Sequence, residues 1–341
     1  MIDWNKFDKK VVDNIFEYKR NIEDLSDKEI LTLINNIMSD CEKYNVDSQE
    51  YFLYDFENIS DEIKQTYIDT KTYRKTVSNC ISRLYLDDFK NKYNTYLKFK
   101  DFYKREAVRV EGFGDYEAFS DFLSRHKKYI IKVIDGSLGS KVSVINVKEN
   151  DSPKDLFFFA LSYGGCIIEE FVKQDPRFEQ FNKTSVNTVR LTTICDNENV
   201  RFFFSLARFG KDGAVVDNGG QGGIISMVDI ATGTIISDGF DESLNKYVYH
   251  PNSGIKIKGF QIPRWEELLS IASDLAQKSK GMTVIGWDFA LTDKGWVIIE
   301  ANTNPSIFPI QMLTTKVYGK GMKEEYTREI GKYQNHKRVD Y

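Results

Sequence analysis

Cysteine is scarce in this 341-residue sequence, which contains 4 cysteines. They are far apart in the chain, and no two of them form a Cys-x-x-Cys pair or another metal-ligand spacing. This pattern argues against a cysteine metal site and favours reduced, mostly buried thiols. His250 has no catalytic partner close to it in the sequence, so we expect it to be structural.

The sequence also lacks an excess of charge of one sign and a long apolar run. Lys and Arg total 47 against 51 Asp and Glu, for a net charge of −4. A nucleic-acid-binding surface would call for a stronger basic bias, so we expect no nucleic-acid partner. No apolar run approaches the roughly 20 residues that span a bilayer, and residues 1–6 lack a signal pattern. We therefore expect a cytoplasmic protein without membrane insertion.

Apolar residues make up 41% of the chain and charged residues 29%, as in ordinary soluble globular proteins. Residues 1 to about 100 have helical patterns. Ser26 and Glu29 form a capping signature, and Ile30, Leu33 and Ile37 follow at helical spacing. This part of the chain carries no recognisable chemistry.

After Gly114 the pattern changes to short β-branched runs separated by turns, which are typical of strands and hairpins. The run 129–134 is a predicted strand, and one helix is predicted from Pro263 to Lys278. Residues 314–341 have the pattern of a polar helix with a frayed end. The sequence as a whole therefore predicts an α+β fold preceded by a mostly helical region.

The strongest chemical signal lies in residues 285–302, which have the pattern of a β-hairpin with a loop centred on Lys294. This arrangement places Asp288 opposite Glu300, while Asn302 shares a face with Glu300. Facing carboxylates repel one another unless a cation lies between them, and such oxygen ligands suit Mg²⁺ carrying substrate phosphates. The alternative is a solvated hairpin whose acidic side chains face water.

Lys132 lies on an apolar strand followed by the small-residue segment 135–141, which contains Ser137 and Lys141. Backbone N–H groups in such a loop, together with a lysine, suit phosphate binding. The alternative is an ordinary hairpin turn, and the spacing is not that of a Walker A loop.

A second apolar strand, residues 164–172, ends in Glu169, Glu170, Phe171 and Val172. Its backbone could face a purine base and a carboxylate could face a ribose hydroxyl. Taken alone, the pattern is more typical of a plain strand end.

Two arginines, Arg190 and Arg208, lie within apolar strands, where a guanidinium needs an anion. The anion is a substrate phosphate or carboxylate in one interpretation and a carboxylate of the fold in the other. A glycine-rich segment containing Asn218 follows, and it has the pattern of a lid or a turn.

In their order along residues 85–312, these motifs resemble the ATP-grasp superfamily. More narrowly, they are similar to the sugar-transfer-associated ATP-grasp proteins found among polysaccharide genes. The segments that carry the resemblance are Lys132 with its loop, 168–171, 187–190, 217–223, 250–251, 259–263, 285–288 and 299–302.

The resemblance implies a fold in which two α+β lobes clamp ATP. It divides the chain into a helical region (1–85), an ATP-grasp domain (86–312, with lobes 86–175 and 176–312) and a C-terminal helix or tail (313–341). Many members carry a Rossmann-like domain at the start, whereas residues 1–85 here are predicted to be helical.

The resemblance also implies roles for the residues named above. Those expected on ATP are Lys92, Lys132, Ser137, Lys141, Glu169, Glu170, Phe171 and Val172. The residues 170–172 form the adenine hinge, and Lys92 corresponds to an earlier ATP lysine. Asp288, Glu300 and Asn302 would hold Mg²⁺. Arg190, Arg208 and Asn218 would serve the reaction, the arginines by steadying the γ-phosphate and an acyl phosphate.

The implied activity is that of an ATP-dependent carboxylate–amine ligase, which would join an amine such as an amino acid to a carboxylate of a polysaccharide or sugar-acid precursor. The alternatives are an ATP-grasp kinase acting on a hydroxyl group and a regulatory protein that binds ATP without turnover. We expect Asp288→Asn or Glu300→Gln to abolish turnover and to leave the fold largely intact.

Overall fold

The structure is a computed structural model that describes residues 2–135, 142–196, 199–211, 213 and 222–335. Its α-helices are α1 Lys9–Tyr18, α2 Asp27–Tyr44, α3 Ser48–Leu53, α4 Asp61–Lys64, α5 Thr70–Asn79, α6 Arg83–Lys90, α7 Lys92–Lys98, α8 Lys100–Tyr103, α9 Tyr116–Arg125, α10 Pro153–Leu161, α11 Pro176–Glu179, α12 Trp265–Lys278, α13 Phe308–Tyr318 and α14 Lys323–Glu329. Its strands are β1 Ala107–Val110, β2 Lys128–Val133, β3 Val142–Asn146, β4 Cys166–Glu170, β5 Thr188–Asp196, β6 Asn199–Phe209, β7 Ile224–Met227, β8 Gly239–Phe240, β9 Lys246–Tyr247, β10 Val284–Thr292 and β11 Gly295–Asn302.

The strands form two sheets, and the α+β class predicted from the sequence is confirmed. A four-stranded sheet has the order β1-β4-β2-β3, and a seven-stranded sheet has the order β11-β10-β5-β6-β7-β8-β9. All neighbouring strands of both sheets pair antiparallel. The smaller sheet carries Lys132 and Glu169, whereas the larger sheet carries both arginines and the 285–302 hairpin.

Helices α1 to α8 make up the region that the sequence predicted to be helical. The predicted cap is present, since Ser26 Oγ accepts from the Glu29 backbone N–H at 3.3 Å and the Ser26 backbone N–H donates to Glu29 Oε2 at 2.8 Å. The apolar face of this helical region joins a core that also contains Leu206 of β6 and Leu313 of α13. The helical region thus covers one face of the larger sheet.

This helical region also contacts the smaller sheet. The backbone N–H of Lys92, at the start of α7, donates to the carbonyl oxygen of Ile134 at 3.3 Å. On the other side, the backbone N–H of Ser82 donates to the carbonyl oxygen of Gly281 at 2.8 Å. The start of α6 is therefore bonded to the segment before β10, and the start of α7 is bonded to the residue that follows β2. The boundary proposed at residue 85 falls within α6 and stays a prediction.

Two predicted helices begin at other residues than expected. Helix α12 starts at Trp265 rather than Pro263, because Arg264 adopts a left-handed backbone conformation with φ 56°. The C-terminal helix α13 starts at Phe308 rather than Thr314, and it is not polar, since Ile310, Met312 and Leu313 are buried. These apolar residues precede the polar tail that suggested a later start. Among the described residues, no helix is long and apolar enough to cross a membrane.

Candidate active site

A cavity of about 780 Å³ opens where the two sheets and the helical region meet. Its lining includes Asp87 of α6, Asn91 between α6 and α7, Lys92 of α7, Glu169 of β4, and Glu300 and Asn302 of β11. Four of these six residues were predicted from the sequence as site residues. The helical region, to which the sequence assigned no chemistry before Lys92, therefore forms one wall of the cavity.

The hairpin formed by β10 and β11 turns tightly at residues 293–294, one half-position before the predicted centre at Lys294, and a bulge restores the predicted pairing from Asp288 onward. Asp288 pairs with Glu300 and Gly286 pairs with Asn302, while a bulge follows Asp288. Gly286 is required at its position because a Cβ atom there would lie 2.7 Å from Cβ of Pro305, in the turn after β11. The close approach keeps that turn against β10, so that the end of β11 stays beside Asp288.

Asp288 is buried, with 3% of its surface exposed, and it contacts both predicted arginines. Arg190 donates from Nε to Oδ1 and from Nη2 to Oδ2, both at 2.7 Å, and Arg208 Nη1 donates to Oδ2 at 2.9 Å. Burial alone would raise the pKa of this carboxyl group, but the nearby charges of Arg190 and Arg208 outweigh it and lower the pKa. The fold therefore supplies the anion for both arginines, which was the structural alternative in the sequence analysis.

The other two predicted metal ligands lie beside this cluster. The amide nitrogen of Asn302 is 3.4 Å from Asp288 Oδ2. The side chain of Glu300 is 36% exposed and lies 3.7 Å from the ammonium nitrogen of Lys92. Lys92 therefore reaches the β11 side of the cavity from the helical wall, and its role as an ATP lysine stays a prediction.

Glu169, which lines the cavity, forms a second buried cluster. It accepts from Arg105 Nε at 2.9 Å and from Arg105 Nη2 at 2.6 Å. Lys132 Nζ lies 3.2 Å from each of its carboxylate oxygens. Burial would raise the pKa of Glu169, but Arg105 and Lys132 together lower it from 4.5 to about 2. Lys132 thus lies next to the cavity, and its ammonium group pairs with the buried carboxylate of Glu169.

The lowered pKa of Glu169 predicts how stability depends on pH. The carboxylate stabilises the fold fully above the unfolded-state pKa of 4.5, and this contribution is lost as the pH falls towards the folded-state pKa of about 2. The contribution is on the order of 3 kcal/mol. We expect the difference in unfolding free energy between the wild type and Glu169→Gln to shrink over this pH range in denaturant titrations. A constant difference would contradict the assignment, and Glu117→Gln on the surface of α9 is the matched control.

The predicted hinge residues lie at the end of β4, outside the lining of this cavity. Glu170 is the last residue of the strand and lies 3.9 Å from Lys294 Nζ in the hairpin loop. Lys128 Nζ lies 3.5 Å from the centroid of the Phe171 ring, and Val172 follows. Lysine side chains thus lie beside Glu170 and Phe171. The role of residues 170–172 towards adenine stays a prediction. Ser137, Lys141 and Asn218 lie outside the described residues.

Sequence reasoning missed Arg105, which is 8% exposed and completes the Glu169 cluster. Its only signal was a basic residue two positions before an apolar run, which is too common to single out. His250 is buried, and its Nε2 lies 3.0 Å from the carbonyl oxygen of Gly210.

Within the part of the chain that the structure describes, no group of three or more His, Cys, Asp and Glu side chains is placed to hold a metal ion. The predicted set of Asp288, Glu300 and Asn302 has two carboxylates and one amide. Mg²⁺ is commonly held by one or two carboxylates together with substrate phosphates. The donor types therefore fit a magnesium ion that arrives with a nucleotide, although both Asp288 oxygens contact arginines in this structure.

Comparisons with known proteins agree with the motif pattern. The sequence profile of the family described as sugar-transfer associated ATP-grasp matches residues 102–331. No curated protein matches the chain.

Solved structures that resemble the chain include three ligases or synthetases. D-alanyl-alanine synthetase A from Vibrio cholerae is 12% identical with a TM-score of 0.46, and the match covers 73% of this chain and 66% of that one. The L-amino acid ligase from Bacillus licheniformis is 10% identical with a TM-score of 0.44, with 72% and 48% covered. D-alanine-D-alanine ligase from Helicobacter pylori is 16% identical with a TM-score of 0.41, with 72% and 60% covered. The chain thus spans between about half and two thirds of the length of these proteins.

Proposed function

Because this chain belongs to the sugar-transfer associated ATP-grasp family, we propose that it is an ADP-forming carboxylate–amine ligase that binds Mg-ATP in the cavity between its sheets. The observation that supports this proposal is the convergence of the two clusters. Glu169, which pairs with Lys132, lines the cavity directly, and Asp288, which pairs with both arginines, lies 3.4 Å from the lining residue Asn302.

The cationic side chains suit a triphosphate. Lys92 lines the cavity, Lys132 lies next to it beside Glu169, and Arg190 and Arg208 lie together at Asp288. Arginine forks and lysine ammonium groups bind phosphate oxygens well. In our proposal the lysines bind the ATP phosphates, while the arginines stabilise charge on the γ-phosphoryl group as it is transferred.

Asp288, Glu300 and Asn302 would hold the magnesium ion, whose positive charge neutralises the phosphate oxygens. Glu300 is the more accessible of the two carboxylates, because its side chain is 36% exposed against 5% for Asp288, and its contact to Lys92 is long. Asp288 would join the set as its arginines turn towards the phosphates. The arginines then exchange one anion for another and stay paired in both states.

The proposed reaction has two steps. An oxygen of the substrate carboxylate attacks the γ-phosphorus, ADP leaves, and an acyl phosphate forms. The amine nitrogen then attacks the acyl carbon, phosphate leaves, and the nitrogen loses a proton as the amide forms. The protein's part is positioning and charge stabilisation, so no side-chain nucleophile is needed. We propose a polysaccharide or sugar-acid precursor as the carboxylate and an amino acid as the amine.

A turnover assay over candidate carboxylates, with and without amines, tests the proposal. We expect ADP and free phosphate only when both substrates are present, together with an amide product detected by mass spectrometry. ADP with a phosphorylated hydroxyl product would instead identify a kinase. ATP binding without turnover on any combination would identify a regulatory protein.

A further inference from the structure

Arg105 lies in the short connection between α8 and β1, where the helical region passes into the smaller sheet. Its side chain is buried, and its guanidinium lies 4.6 Å from the centroid of the Tyr103 ring. All three guanidinium nitrogens donate hydrogen bonds: Nε and Nη2 to Glu169, and Nη1 to the carbonyl oxygen of Ile298 at 2.5 Å. A buried arginine with every nitrogen bonded holds one fixed position.

The contacts of Arg105 connect the two sheets. Glu169 belongs to β4 of the smaller sheet, whereas Ile298 belongs to β11 of the larger sheet, two residues before Glu300. The neighbouring residue Lys104 makes a parallel connection, since its Nζ donates to the carbonyl oxygen of Lys294 at 3.1 Å. Arg105 thus connects the smaller sheet to the larger sheet beside the cavity-lining residue Glu169.

Arg105 also affects Lys132, because both cations pair with the same carboxylate of Glu169. Glu169 is fully buried and needs a cation, and Arg105 supplies it through two hydrogen bonds at 2.9 and 2.6 Å. Lys132, at 3.2 Å from both oxygens, is the longer partner of the same carboxylate. Without Arg105, Lys132 would be the only cation among the described contacts of Glu169, and moving it to a phosphate would leave a buried charge unpaired.

We infer that Arg105 is a positioning residue for nucleotide binding, which neutralises Glu169 so that Lys132 can bind phosphate and which fixes β11 beside the smaller sheet. The inference rests on the proposed function, because it assigns Lys132 and Glu300 to the nucleotide. Arg105 itself acts through Glu169 and Ile298.

Isothermal titration calorimetry of the full chain with magnesium and the ATP analogue AMP-PNP tests this role. We expect Arg105→Met to weaken binding by about tenfold or more, the effect of losing one charged contact. Arg105→Lys keeps a cation beside Glu169 and should bind more tightly than Arg105→Met. The matched control is Arg109→Met on β1, whose side chain is 47% exposed, and it should bind like the wild type.

The double variant Arg105→Met/Glu169→Gln separates positioning from a general loss of structure. It removes both charges of the pair, so it should fold even if Arg105→Met does not. We expect the loss of Arg105 to weaken binding less when Glu169 is neutral than in the wild type, because only the contact with Ile298 is then lost. Additive losses in the double variant would overturn the inference, as would unchanged binding by Arg105→Met. If the wild type itself does not bind the nucleotide, the proposed function fails instead.

Discussion

Glu300→Gln should reduce ATP turnover by about a hundredfold to a thousandfold, as expected when a charged group that acts on the phosphates is lost. The neutral amide keeps the size of the side chain but removes the charge that would bind magnesium. The fold should be little affected, because Glu300 is 36% exposed and its contact with Lys92 is long, at 3.7 Å. Partly exposed ion pairs of this kind contribute about 1 kcal/mol or less.

The measurement is the rate of ADP release at saturating Mg-ATP, with the unfolding free energy measured alongside. Glu266→Gln, on the exposed first turn of α12, provides a control with the same chemical change away from the cavity. Wild-type turnover by Glu300→Gln would contradict the assignment of this residue to the metal. A large loss of stability would show that it has a structural role as well.

Asp288→Asn should destabilise the fold by about 3–5 kcal/mol, because removing one partner of a buried ion pair leaves the other charge uncompensated. Here Arg190 and Arg208 both lose their anion, and their side chains are only 18% and 8% exposed. Turnover should be lost as well, since the same change removes a proposed metal ligand. Our expectation from the sequence that Asp288→Asn leaves the fold largely intact is therefore revised by the burial of this cluster.

Chemical denaturation of the wild type and of Asp288→Asn measures this loss, and Asp293→Asn in the exposed hairpin loop is the control. Asp288→Asn should cost less stability in a chain that also carries Arg208→Met than in the wild type, because one of the two unpaired positive charges is then absent. A variant Asp288→Asn that is as stable as the wild type would show that the arginine contacts are not important for the fold.

The hairpin was predictable because its register follows from local rules. The apolar strands flank a short polar loop, and counting from Lys294 places Asp288 opposite Glu300, as observed. The structure reaches this pairing through a two-residue turn and a bulge after Asp288, which alternation alone does not predict. The cap at Ser26 and the strand carrying Lys132 are local features of the same kind. Short-range patterns thus predicted most elements that carry the site.

The partners of these side chains were not predictable, because they come from distant parts of the chain. Asp288 receives its arginines from β5 and β6, about a hundred residues earlier, through strand pairing that no local pattern specifies. Glu169 receives Arg105 from the connection before β1. The wall formed by α6 and α7 depends on where the helical region packs, and helix patterns do not encode that position.

A crystal structure with Mg²⁺ and AMP-PNP tests the central claim most directly. We predict one magnesium ion at about 2.1 Å from oxygens of Glu300 and Asp288 or Asn302 and from the nucleotide phosphates. We also predict Lys132 on a phosphate, and Arg190 or Arg208 turned from Asp288 towards the γ-phosphate. A nucleotide bound away from this cavity, or a metal ion that none of the three side chains contacts, would contradict the account.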